Sequence, residues 1–474
     1  MEYLFILIIC SLSSKDEIVL DFENLGDGGR IERIISKINL NLKNNNIGDL
    51  DYNGTGGGFL FDAKSWASPN VSINSFSFSK INSSGNGAGL YISDAFDVCI
   101  INTSFFKCDS AKNGGAMFLN NNAGYTIIYN CSFENCSAQI GSSIYYESVT
   151  NDVRIEKSVF SKGTKTNVYL SGNLYKNCTI NDCVFLKFSS LCNDLIYVSN
   201  FISLLLSNDL FYDCSLNGRY LYMVGANTSN AIKSCCFFNC NTNSGGNIIY
   251  CVTSFSANFS MELFSISNSF VFQNLVRMIN FIVVHENNNI SRCIGTTGIA
   301  VEGFRTFSTL FSSYSNISLN RYLFMCGNDF NFSQFSYNNV VSNAAQATVY
   351  SINSILSNLI FKNCIFINNN GCLIQALRSN VTIIDCYIVH NFYSYTLWNT
   401  NSVSTLFTKN IIAVIPTHTY SLDLLSTAFC AVHNEDNATE LLPCQTMNPL
   451  CSNNQANEAV FSIPIFIGTF LILQ

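Results

Sequence analysis

Charge is scarce in this sequence. Of 474 residues only 24 are Lys or Arg and 31 are Asp or Glu, 12% in all, against about a quarter in an ordinary soluble protein. The surface must therefore be covered largely by Asn, Ser and Thr. A net charge of -7 promises no basic patch, which excludes nucleic acid as an expected partner. Histidine is rarer still. The four present, His285, His390, His418 and His433, are scattered and each is expected to be structural rather than catalytic. Proline occurs five times and is nearly absent from the short apolar runs, leaving those runs free to pair as strands.

Repetition is what the chain has in abundance. The stretch from Gly114-Gly115-Ala116-Met117-Phe118-Leu119 to Ile127-Ile128-Tyr129-Asn130-Cys131-Ser132-Phe133-Glu134-Asn135-Cys136 holds two short apolar strands and Asn-rich bends. It is too little to bury its own apolar face, so the unit must recur. The middle of its first strand recurs at Leu60, Tyr91, Phe118, Tyr145, Tyr169, Tyr197, Tyr222, Ile249, Met278, Ala300, Phe324, Tyr350, Ile374, Leu397 and Leu422, at intervals of 22 to 31 residues. A second register runs through Phe78, Phe105, Phe133, Phe160, Phe185, Phe211 and Phe237 and resumes at Phe270, Phe366 and Ile388, with Phe311 and Phe335 as candidates between. Leucine-rich repeats have this length, but their Leu-x-x-Leu-x-Leu frame is missing. The period and the Ile, Val, Phe, Tyr and Thr of the strands predict an all-β fold, a single-stranded parallel β-helix (solenoid) of about 14–15 coils. Stacked at a strand spacing of about 4.8 Å, these would make a rod about 70 Å long.

The ends differ from the middle. Residues 1–14 read as a signal peptide, from the apolar run Tyr3 to Cys10 and the small residues Ser11 to Ser14, though no basic residue precedes the run. Residues 15–50 form the expected N-terminal cap, since Ile31, Ile34, Ile35, Ile38 and Leu42 fall at helical spacing and an open solenoid end needs cover. An irregular first coil is the alternative. The β-helix is expected over 51–425. Residues 426–457, with Cys430, Cys444 and Cys451, read as a Cys-containing C-terminal cap or stalk, and 458–474 as a hydrophobic tail. That tail falls short of the roughly 20 residues of a spanning helix, and it reads as a lipid-anchor signal, a clipped membrane helix or a buried strand. The first two place the protein at the cell surface, membrane-attached at its C-terminus.

Cys108 and Cys136 occupy one place in consecutive coils, as do Cys214 and Cys240, and Cys364 and Cys386. These six are candidate disulfides if their side chains turn toward each other; the alternative is a ladder of small apolar side chains. Zinc fits less well, because Cys131/Cys136 and Cys178/Cys183 have no second pair to close a tetrahedron. Three residues before the Phe register stand Asn102, Asn130, Asp182, Asn208, Asn363 and Asp385, which are suited to stacking at a corner. Fourteen Asn-x-Ser/Thr triplets occur, and Asn227, Asn258, Asn316, Asn380 and Asn437 are the candidate N-glycosylation sites.

Enzymatic β-helices set a test. Glycoside hydrolysis needs two carboxylates across a bond, and a lyase needs a base with a cation held by several acids. Acids do not recur at one coil position in neighbouring repeats: Asp182 and Asp385 lie far apart, with Asn208 and Ser234 after the first. No catalytic residue, cofactor or metal is therefore expected. Gly114-Gly115-Ala116-Met117 and Phe366-Ile367-Asn368-Asn369 resemble the Gly-Gly-Ala-Ile and Phe-x-x-Asn repeats of the polymorphic membrane proteins of chlamydiae and of similar surface proteins of trichomonad protists. The resemblance spans roughly residues 56–425. Cys replaces Asn at Cys108, Cys136, Cys214 and Cys240, and most coils lack the double Gly. It implies a right-handed β-helix at the cell surface, a non-catalytic adhesin for host-cell or extracellular protein and glycan ligands. A polysaccharide lyase or hydrolase and a passive coat protein are the alternatives.

Overall fold

The structure, a computed structural model, describes residues 70–293 with few interruptions, and strand backbone at intervals between Glu17 and Ala413; side chains are described from Asn70 to Cys293 and around Phe361 and Cys386. Residues 1–14, 426–457 and 458–474 lie outside the described residues. Among those described, every regular element is a strand. The fully described part is a parallel β-solenoid of about eight turns, and the same pairing continues to the strands Glu17–Asp21 and Ile412–Ala413.

One coil holds three strands, for example Met117–Asn120, Tyr125–Tyr129 and Ser132–Glu134. Each pairs in parallel with its counterparts one coil before and one coil after. Because the strands of one coil pair with the coils before and after it, their backbone N–H and C=O groups find partners there. Contacts divide the chain into two compact units, Met1–Asp209 with Cys214–Asn227, and Leu210–Asp213 with Thr228–Gln474.

In the first unit the Phe register is the core. Phe78, Phe105, Phe133, Phe160 and Phe185 face one another in successive third strands and are buried. Their rings are nearly coplanar in tilt, with centroids 4.7–5.1 Å apart. Each ring contributes about 1.5–3 kcal/mol through burial. The first-strand register also pairs as expected, from Leu60 through Tyr91, Phe118, Tyr145, Tyr169 and Tyr197 to Tyr222. It faces outward: Leu90 and Ile92 on either side of Tyr91 are buried, and Tyr91 is half-buried.

In the second unit both registers need correction. Ile249 is opposite Val276, and Met278 is opposite Cys251. The column through Ile249 runs Val276, Ile299, Phe324, Tyr350, Ile374 and Trp398, so Met278, Ala300 and Leu397 are not its members. Ile249 and Val276 are fully buried, whereas the corresponding tyrosines of the first unit face out. Strand faces alternate with period two, so an error of one residue exchanges inside for outside. The Phe register continues from Phe237 through Ile266, Ile290, Ile317 and Val340 to Phe366 and Ile388. Phe270, Phe311 and Phe335 are not in it; Phe270 is exposed. Aliphatic side chains take over the column there, and an aromatic marker no longer follows it. The N-terminal helix is also corrected. Gly29–Glu32 and Asn39–Tyr52 are strands paired with Phe59–Asp62 and Val71–Ser83. Leu40 and Leu42 alternate with period two within Asn39–Tyr52, which won there over the helical spacing, and residues 33–38 lie outside the described residues.

The corners rest on left-handed backbone. Ahead of each third strand in the first unit, Ser75, Asn102, Asn130, Lys157, Asp182 and Asn208 have φ of 50–59°. Behind each, Lys80, Lys107, Asn135, Lys162 and Lys187 have φ of 50–56°. Asn and Asp accept this region most readily among side-chain-bearing residues, which explains the expected Asn positions better than amide stacking does. Stacking contributes locally, as Asn130 Nδ2 donates to Asn102 Oδ1 at 2.7 Å. Glycine is demanded at the third corner: Gly114 has φ +68°, and a Cβ on Gly115 would lie 2.3 Å from the Ser142 carbonyl oxygen.

Candidate functional site

The outward first-strand column is the most regular surface feature of the first unit. Tyr91, Phe118, Tyr145, Tyr169 and Tyr197 stack with centroids 4.8–5.0 Å apart and planes within 10°. Parallel strands bring identical positions to one coil spacing, close to an aromatic stacking distance, so a repeated Tyr or Phe forms a ladder. Stacking covers the ring faces: Phe118 and Tyr145 are buried in the ladder, while Tyr91, Tyr169 and Tyr197 are half-buried. The Tyr145 hydroxyl donates to Glu147 Oε2 at 2.7 Å; burial, then the Glu147 carboxylate, push its pKa well up. At Tyr222 the ring turns to 79° from Tyr197, and the Arg219 guanidinium lies 3.4 Å from its centre. Arg219 is held in turn by Asp194, through Nε at 2.8 Å and Nη2 at 3.2 Å. With its flat faces occupied, this ladder offers partners a row of polar edges rather than a stacking platform.

Three aspartates, Asp97, Asp152 and Asp209, accept backbone N–H groups. Asp97 and Asp152 share an outward column with Tyr125 between them. Asp97 Oδ1 accepts the Tyr125 N–H at 2.9 Å, and Asp152 Oδ1 the Asn177 N–H at 2.7 Å. Each thereby caps the start of the second strand one coil on. Asp209 is buried and accepts the Cys183 N–H at 2.8 Å. His285 is fully buried in Asn274–Glu286, and burial lowers its pKa to about 3. Among the described residues no three His, Cys, Asp or Glu are grouped so as to hold a metal ion. His390, His418 and His433 lie outside them.

The candidate disulfide cysteines have a different role in the structure. Cys108 and Cys136 stand in consecutive coils as buried thiols, in contact with each other. Each Sγ points at the carbonyl of the register Phe one coil earlier, Cys108 at Phe78 (3.6 Å) and Cys136 at Phe105 (3.8 Å). Cys214 does the same at Phe185 (3.6 Å), and Cys240 at Phe211 (3.5 Å). Cys364 and Cys386 are buried, with the Cys364 N–H 3.5 Å from Cys386 Sγ. A sulfur aimed down the stack at a carbonyl makes a weak S–H···O bond there. Of the candidate glycosylation sites, Asn258 is exposed on Ile249–Glu262. Asn316 and Asn380 start strands, but their side chains, like Asn227 and Asn437 entirely, lie outside the described residues.

Sequence reasoning missed the corner lysines of the first unit, because it looked for a corner in recurring Asn and Asp suited to stacking and in clustered Gly. Comparison of the chain with known protein families, with curated proteins and with solved structures finds no match in any of the three.

Proposed function

We propose that this chain is a cell-surface, adhesin-like binding protein that presents its solenoid faces to host-cell or extracellular protein and glycan ligands. One observation carries the reading: outward side chains stand in unbroken columns, one per coil, as in the series from Tyr91 to Tyr222. A surface built this way repeats the same polar and aromatic edge at each coil and suits extended ligands bound through many weak contacts. The carboxylates near these columns are engaged, Asp97 and Asp152 by backbone N–H groups, Glu147 by the Tyr145 hydroxyl and Asp194 by Arg219, which favours binding over bond cleavage. The short repeats similar to those of polymorphic membrane proteins point the same way. So do the signal-like N-terminus and the apolar C-terminal tail, which would present the coils at a membrane.

The test is attachment of purified protein to cells and to a glycan array. Saturable attachment without release of reducing sugars or unsaturated products from polysaccharides is the expected outcome. Such release without attachment would reverse the reading.

A further inference from the structure

The aromatic ladder of the first unit is not uniform along its length. Tyr145, Tyr169 and Tyr197 stack with centroids 4.9 Å apart at both steps and planes within 10°, so three phenols share one column of overlapping π faces. Both ends of that run are unfavourable to a positive charge. Before it stands Phe118, whose ring lacks the hydroxyl that makes a phenol the easier group to oxidise. After it Tyr222 is turned 79° from Tyr197, and the Arg219 guanidinium, 3.4 Å from the centre of Tyr222, repels a second positive charge on that ring.

One rung also has a strong proton acceptor. The column two residues past the rungs runs Ser93, Asn120, Glu147, Ser171 and Ser199, and Glu147 is its one carboxylate. Asp94, next to Ser93, accepts the Ser93 hydroxyl at 2.7 Å. The Tyr145 hydroxyl donates to Glu147 Oε2 at 2.7 Å, inside the range of about 2.6–3.2 Å over which a proton passes directly. Tyr169 has the Ser171 hydroxyl in that place, too weak a base to keep a proton. Tyr145 is also the sheltered member of the run, 9% exposed, whereas Tyr169 and Tyr197 are half-buried. The rings that an oxidant in solution can approach and the ring that can give up its proton are therefore different rings of one stack.

We propose that Tyr145 is a redox-active tyrosine, fed through Tyr169 and Tyr197 and served by Glu147 as its proton acceptor. A one-electron oxidant of the haem-peroxidase class takes an electron from Tyr197 or Tyr169, and the vacancy passes through the overlapping rings to Tyr145. There the phenolic O–H bond breaks and the proton joins Glu147 Oε2, leaving a neutral phenoxyl radical beside a neutral carboxylic acid. Only at this rung can the vacancy shed its positive charge, so it comes to rest there. A one-electron reductant of the ascorbate class returns the electron, and Glu147 returns the proton. The coil thus takes up one oxidising equivalent and releases it without a lasting covalent change, an activity separate from whatever the solenoid binds.

The probe is photogenerated tris(bipyridine)ruthenium(III), applied to full-length protein and followed by phenoxyl absorption and electron paramagnetic resonance. The parent should give a phenoxyl radical that outlives the one formed on free tyrosine. Tyr145→Phe should lose that long-lived signal, and its fold should hold, because Phe118 already fills one rung of the same column. Glu147→Gln keeps an oxygen for the hydroxyl but cannot take its proton, so radical formation should slow by at least about tenfold and its solvent deuterium isotope effect should change. Tyr175→Phe, which alters an 82% exposed ring outside the ladder, should match the parent. A parent without a persistent radical overturns the inference, as does a persistent radical at parent yield in Tyr145→Phe. An unaltered rate in Glu147→Gln overturns it too. Each of these results leaves the attachment of the protein to cells, measured separately, untouched.

Discussion

Phe133→Ala is the perturbation that most directly probes how the coils hold together. Phe133 is 1% exposed, and its ring lies between Phe105 at 5.1 Å and Phe160 at 4.7 Å, with planes within 3°. Removing a buried ring and leaving a cavity costs about 3–5 kcal/mol. The position cannot collapse easily, because the neighbouring rings are fixed by their own strands, so a value near the middle, about 4 kcal/mol, is expected. A double-mutant cycle separates the stacking part. Phe105→Leu with Phe133→Leu removes a shared contact and should show a coupling of about 0.5–1.5 kcal/mol. Phe105→Leu with Phe160→Leu, one rung removed, should be additive to within about 0.5 kcal/mol. Denaturant unfolding monitored by far-ultraviolet circular dichroism supplies each free energy, with constant slope as the control for two-state behaviour. A loss under about 1 kcal/mol for Phe133→Ala, or equal coupling for adjacent and separated rungs, would refute a core built of nearest-neighbour steps.

Burial and close packing elsewhere in the coils lead to three other expected outcomes. His285, whose pKa burial lowers to about 3, binds its proton more readily in the unfolded chain, so its contribution is complete above about pH 6.5 and is lost as pH falls toward 3; the slope, at most about 1.4 kcal/mol per pH unit, should flatten in His285→Gln, as read from denaturation midpoints. Burial holds the Cys131 thiol up at about 12 and the Cys108 and Cys183 thiols well above their usual range, so iodoacetamide at pH 8 should modify half-buried Cys99 first and leave those three intact until denaturant is added, by peptide mass spectrometry. Gly115→Ala forces a Cβ against two carbonyls of the next coil, Ser142 at 2.3 Å and Ser137 at 2.4 Å, and should lower stability by at least about 1–3 kcal/mol; an unchanged melting temperature would contradict that packing.

Much of the architecture was legible because identical residues fall at identical places. Phe78 to Phe185, and Tyr91 to Tyr222, could be followed by eye, and the structure pairs them in order. Reading stopped where chemistry changed but geometry did not: Ile266, Ile290 and Ile317 fill the Phe column and look like any other aliphatic residue. Which face a column occupies was harder still. Tyr91 outward and Ile249 inward differ by one residue of phase, and a string of apolar and aromatic residues does not reveal it. The thiols were ambiguous for a geometric reason, since stacking Cys108 on Cys136 satisfies the distance for a bond but says nothing of where each sulfur points. The corner lysines escaped notice because whole-chain charge is an average, while a solenoid sorts residues by coil position.

The two left-handed bends around each third strand are separated by the same count throughout the first unit: Ser75 to Lys80, Asn102 to Lys107, Asn130 to Asn135, Lys157 to Lys162 and Asp182 to Lys187, five residues every time. The stretch from that second bend to the ladder tyrosine is elastic by comparison, eleven residues from Lys80 to Tyr91 and seven from Lys162 to Tyr169. The run to the next first bend varies too, eleven residues from Tyr91 to Asn102 and thirteen from Tyr169 to Asp182, so one side of the coil acts as a metronome and the rest of it absorbs the changes in length. An insertion on the elastic side leaves the beat of the bends intact, so one scaffold has room to display loops of different length.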